Sequence, residues 1–88
     1  MDSKRPVIPE SIRTVITDDG ATLLDVRCGM IYALNPTGGH IWNQLTLGRT
    51  KEEIATELSN EFNIPQARLL FDLDQFFSQL AAKGLVTL

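Results

Sequence analysis

The sequence predicts an α+β chain in which a three-stranded antiparallel meander is followed by three helices. Three observations carry that expectation. Two turn signals, Asp18-Asp19-Gly20 and Cys28-Gly29, divide the first third into three short runs rich in β-branched and aliphatic residues. Past Asn35-Pro36 the apolar spacing changes from alternation to helical steps. The chain has 88 residues, of which 43% are hydrophobic, so one small core is all it builds, and the expected organisation is one domain over residues 1–88 with a loose arm at 1–10.

The first strand is expected over Ser11 to Thr17, where Ile12, Val15 and Ile16 are β-branched. Asp-Gly then marks a tight turn, because glycine accepts positive φ. Ala21 to Arg27, with Leu23, Leu24 and Val26, reads as the second strand, and Met30 to Leu34 as the third. Pro36 ends the sheet, since it has no N–H to give the ladder. Thr37 is the expected cap of a short helix holding Ile41, Trp42 and Leu45, with a first turn weakened by Gly38-Gly39. Thr50 and Glu53 fit a capping box, and Ile54, Leu58 and Phe62 follow on one stripe. Pro65 suits the opening of a last helix running to about Lys83, and Gly84-Leu85 resembles a left-handed stop with its apolar contact. On that helix Leu70, Leu73, Phe77 and Leu80 form the expected core stripe, while Leu69 and Phe76 lie beside it, either as further core or as the wall of a groove. Strands and helices in this order are winged helix-turn-helix-like.

Composition narrows the function. One cysteine makes no internal disulfide, and one cysteine with one histidine makes no zinc tetrahedron, so neither metal nor cofactor is expected. The start, Met1-Asp2-Ser3-Lys4-Arg5-Pro6, lacks an apolar run, which implies no membrane span and a cytoplasmic address. Eight basic residues against eleven acidic ones give a net charge of −3. A winged-helix DNA-binding regulator is the rival by architecture, but the second helix sets Lys51 against Glu52, Glu53, Glu57 and Glu61, and the third sets Arg68 and Lys83 against Asp72 and Asp74. Either would bring negative charge to phosphates, so no nucleic-acid partner is expected. Cys28 falls in a turn and His40 at a helix start, with no third residue placed to orient them, and no catalytic residue is assigned.

Peptide binding fits better. Met30-Ile31-Tyr32-Ala33-Leu34 is an edge strand with no Pro or Lys to blunt it. A ligand strand added there would gain backbone bonds, with Leu69, Leu73 and Phe76 of the last helix supplying pockets. The same edge also suits pairing with a second copy, a homodimer.

These residues resemble a known family. Gly29-Met30-Ile31-Tyr32-Ala33-Leu34-Asn35, Thr37-Gly38 and Ile41-Trp42 look like the G-x-I-x-x-L-N-x-T-G-x-x-I-W signature of PqqD-like proteins, the precursor-peptide recognition elements of ribosomally made, post-translationally modified peptide pathways. Gly48, Thr50, Glu53-Ile54-Ala55 and Leu58 match the next block, and Asp72-Leu73, Phe76-Phe77, Leu80 and Gly84-Leu85-Val86 resemble the last helix and its exit. The resemblance is nearest to the stand-alone leader-binding proteins of lasso-peptide clusters. It implies a non-enzyme that binds the leader region of a precursor peptide as an added antiparallel strand on Met30 to Leu34, with Leu69, Asp72, Leu73 and Phe76 on the helix side. Asp72 has two readings, a leader contact or an exposed residue paired with Arg68. A leader Tyr and Pro would occupy apolar pockets. The implied partners are a transglutaminase-like leader peptidase and an ATP-dependent lasso cyclase. The alternative within the family is a PqqD-type peptide chaperone for a radical SAM enzyme.

Overall fold

The computed structural model describes residues 6–87. Strands β1 (Ile12–Thr17), β2 (Gly20–Asp25) and β3 (Met30–Leu34) form one antiparallel sheet in the order β1-β2-β3, followed by helices α1 (Pro36–Thr46), α2 (Lys51–Phe62) and α3 (Gln66–Ala82). The fold is therefore the expected α+β meander-then-helices. Ile12 pairs with Asp25, Thr17 with Gly20, Asp25 with Met30 and Ala21 with Leu34.

That register sends Ile12, Ala21 and Leu23 to the inner face, where they are buried. Trp42 of α1 is fully enclosed among them and donates its indole N–H to the Thr14 hydroxyl at 2.9 Å, so the one polar atom of a large ring is not left unpaired. Ile54, Ala55 and Leu58 of α2 meet Leu69, Leu73, Phe77 and Leu80 of α3, and Leu85 and Val86 close the base of the same core.

Several local expectations hold. Thr50 accepts from the Glu53 N–H at 3.1 Å while Glu53 accepts from the Thr50 N–H at 2.8 Å, the reciprocal capping box. Gly84 sits at φ +75, with the Leu85 N–H bonded back to the Leu80 carbonyl at 2.9 Å.

Others are corrected. The cap of α1 is Asn35, whose Oδ1 accepts from the Gly38 N–H at 2.7 Å, which leaves Thr37 inside the helix. Gly38-Gly39 is a site of close approach: a Cβ on Gly39 would lie 2.7 Å from the Gly20 carbonyl carbon. At the first turn the positive φ expected of glycine is present, +135 at Gly20, but the loop residues are Asp18 and Asp19 alone. Gly20 already belongs to β2, and a Cβ there would fall 1.8 Å from the Leu34 carbonyl oxygen. The arm is not loose throughout. Val7 and Thr87 exchange backbone hydrogen bonds of 2.9 and 2.8 Å, while residues 1–5 lie outside the described part.

Candidate functional site

Hydrogen bonding in an antiparallel sheet alternates along each strand, so one bond sets the phase of the rest. The Val26 N–H donates to the Ser11 carbonyl at 3.0 Å, which makes this opposed couple a bonded pair. Counting from it, Leu24 turns its backbone groups toward β1, and Asp25, Leu23 and Ala21 turn theirs toward β3. Their partners Met30, Tyr32 and Leu34 therefore spend their N–H and C=O groups on β2. Ile31 and Ala33 point theirs away from the sheet. Among the described residues nothing accepts or donates there, and Ile31 is 68% exposed. The free edge thus offers two donors and two acceptors, the pattern an added strand requires.

The side chains beside that edge form a cleft. Tyr32, Ala33 and Leu34 make one wall, Phe76, Gln79 and Leu80 of α3 with its cap residue Lys83 the other, with Leu85 below, enclosing about 210 Å³. That is smaller than the roughly 300 Å³ at which small-molecule sites usually begin, and it suits a side chain projecting from an added strand. Tyr32, Leu34 and Phe76 are half-buried here, with apolar surface still in water. A larger hollow of about 380 Å³ lies between Val7, Ile8, Ile12 and Leu45. Its strand wall is partly closed by the chain itself, because the Ile12 N–H already donates to the Pro9 carbonyl at 3.1 Å.

The structure brings together Met30, Ile31, Tyr32, Ala33 and Leu34 on β3 with Phe76 opposite. It does not place Leu69 or Leu73 at the cleft. Both are core residues, Leu69 at 9% exposure and Leu73 at 2%. The reason is helix rotation: the buried stripe runs Leu69, Leu73, Phe77, Leu80, and Leu70 is the half-buried flank. Asp72 is exposed, with Oδ2 3.9 Å from the Arg68 Nε one turn away. The residues missed are Gln79, Lys83 and Leu85. Phe76, Gln79 and Lys83 stand at i, i+3 and i+7 and so share one face, but that spacing alone does not set two polar residues apart from an ordinary solvated face.

At the Met30 end of the edge the turn Val26–Gly29 is held by Asp25. Its carboxylate is nearly inaccessible and accepts from the Arg27 backbone N–H at 3.1 Å and from the guanidinium at 3.3 Å through both Nε and Nη2. The Arg27 side chain, chiefly, holds the Asp25 carboxyl below the ordinary aspartate range, against the opposing effect of burial.

Cys28 is exposed in that turn, and His40 lies 3.9 Å from Glu57. Among the described residues no three His, Cys, Asp or Glu side chains cluster as metal ligands, and no helix is long and apolar enough to cross a membrane.

Residues 20–86 match the family model of coenzyme PQQ synthesis protein D (PqqD). No curated protein matches the sequence. Two solved structures are similar over nearly their whole length. One is TbiB1 in complex with the TbiA(beta) leader peptide, at 29% identity and a TM-score of 0.86, covering 91% of this chain and 93% of that one. The other is a lasso peptide synthetase B1 complexed with the leader peptide, at 25% identity and a TM-score of 0.85, covering 96% and 99%.

Proposed function

This chain belongs to the PqqD family, and from that membership we propose that it binds the leader segment of a ribosomally made precursor peptide in lasso-peptide biosynthesis. The leader adds as a strand antiparallel to β3, taking the outward N–H and C=O groups of Ile31 and Ala33. Its inward side chains enter the cleft between Tyr32, Leu34 and Phe76. The observation that carries the reading is the coincidence of an unpaired strand edge with an apolar cleft, on a chain whose structural neighbours were both solved with leader peptides bound.

Binding of this kind supplies affinity through the backbone and selection through the pocket. Each backbone bond contributes on the order of 0.5–1.5 kcal/mol net, and burying the remaining faces of Tyr32 and Phe76 adds to that at about 25 cal/mol per Å². The protein performs no chemistry of its own. It raises the effective concentration of the precursor for a leader peptidase and a lasso cyclase, and fixes the register in which the scissile segment leaves the sheet. Because the precursor is made on the ribosome, the work is done in the cytoplasm.

The test is a fluorescence-anisotropy titration with the labelled leader of the precursor encoded beside this gene, and a labelled DNA duplex as control. Saturable leader binding that survives raised salt, with no response to DNA, supports the reading. A steeply salt-dependent response to DNA and none to leader would turn the fold to a different use.

A further inference from the structure

The cleft has two unlike ends, and their order along β3 is readable. A Cβ on Gly38 would lie 3.4 Å from Phe76 Cζ and 3.6 Å from Leu34 Cβ, so Leu34 and Phe76 share one end. A Cβ on Gly84 would lie 3.6 Å from Arg27 Nη2, which places the turn before Met30 beside the C-terminal end of α3. A strand antiparallel to β3 therefore enters past Leu34 and Phe76 and leaves past Met30 and Lys83, toward the part of the precursor that becomes product.

The charges on these elements differ in their partners. Asp25 is occupied by Arg27, Asp74 by Lys51 at 2.6 Å and Asp72 by Arg68 at 3.9 Å. Lys83 lines the cleft, is exposed, and has no ion pair among the described residues. A lysine at a helix C-terminus often serves the last carbonyls, but here backbone N–H groups already serve those of Gln79, Leu80 and Ala81. Lys83 and Leu85 donate to Leu80, Lys83 to Gln79, and Gly84 to Ala81. No described acid takes the ammonium, in a protein whose net charge is −3 and which is therefore not basic in general.

Resting on the leader-binding reading, we infer that Lys83 selects leaders carrying an acidic residue just C-terminal to the segment paired with β3. The carboxylate would meet the ammonium at the rim, where half-exposed geometry makes the pair a discriminator rather than the main source of affinity.

A phage-displayed random-peptide library selected in parallel on the wild type, Lys83→Glu and Ala33→Pro tests this. The wild type is expected to recover peptides with Asp or Glu at a fixed spacing after an apolar anchor, and Lys83→Glu to recover Lys or Arg there. A wild-type winner resynthesised with Gln for its acid should bind the wild type about three-fold more weakly and Lys83→Gln no differently from the parent peptide. An apolar consensus common to wild type and Lys83→Glu, with no change of charge preference, overturns the role of Lys83 and leaves the β3 reading standing. Winners that bind folded Ala33→Pro as well as wild type, or no enrichment on any variant, overturn both.

Discussion

The two halves of the sheet meet their helices in opposite ways. Over β2 the contact with α1 is closed: Gly39 sits so near Gly20 that no Cβ fits between them, and Leu23 and Trp42 are sealed behind. Over β3 the contact with α3 stands ajar, with Tyr32, Leu34 and Phe76 half-buried around about 210 Å³ of open cleft. Small residues let backbone approach backbone on the first side, and aromatic ones hold the elements apart on the second. Burial is complete where the fold is secured and incomplete at the cleft proposed to take the leader.

The comparison breaks most visibly at Gly39. Gly39→Ala forces a methyl against the backbone of Gly20 and Ala21, which has no rotamer to escape into. A loss of about 3 kcal/mol is expected in urea unfolding, and an unchanged midpoint would show that the seam is looser than described. On the open side, Ala33→Pro removes a donor that faces outward and should weaken leader binding about ten-fold while the sheet persists. Tyr32→Pro instead removes a bond to β2 and should lower the melting temperature. Exchanged behaviour of the two variants would mean that the phase of the ladder is reversed, and equal behaviour that the outward groups of β3 do not hold the leader. Phe76→Asp puts a charge on the cleft wall, and leader affinity should fall several-fold, by about 1 kcal/mol, with the circular dichroism spectrum retained.

The turn beside the edge gives a smaller, pH-dependent effect. The folded-state pKa of Asp25 lies below its unfolded value of about 3.9. Its stabilisation is therefore fully present above that value and lost as pH falls through the lowered folded value. Asp25→Asn should melt earlier than wild type at pH 7, and the gap should narrow below about pH 4. The smallest effect belongs to Cys28→Ser, an exposed turn position, where stability should stay within about 0.5 kcal/mol and leader affinity should not move.

Local chemistry was legible where a feature needs only its own neighbours. Thr50 with Glu53, Gly84 with Leu85, and the strand Met30–Leu34 between its turn and Pro36 are of this kind. What depends on the other side of an interface was not. Gly38-Gly39 reads as a poor helix start until the strand that demands it is in place. Leu69 and Leu70 exchange roles because the last helix is rotated by its packing on α2, which no single stripe announces. At the cleft, Phe76 was visible as an aromatic beside the core stripe. Gln79 and Lys83 were not, since polar residues on a helix are ordinarily solvated and only the position of β3 gives them a use. Asn35 does not announce itself as a cap, because Asn-Pro equally marks the end of a strand.

The Val7–Thr87 pairing brings two points 80 positions apart in the chain to adjacent backbone. A short linker joining them would convert the path into a ring, and the ring could be reopened at the exposed link Leu47–Arg49, between α1 and α2. Such a circular permutant would carry its new ends away from the cleft between β3 and α3. An enzyme or fluorophore tethered at either end would then stand clear of the proposed leader strand, and if that strand binds as proposed the fold would serve as a cassette for tagging peptides through the edge of a sheet.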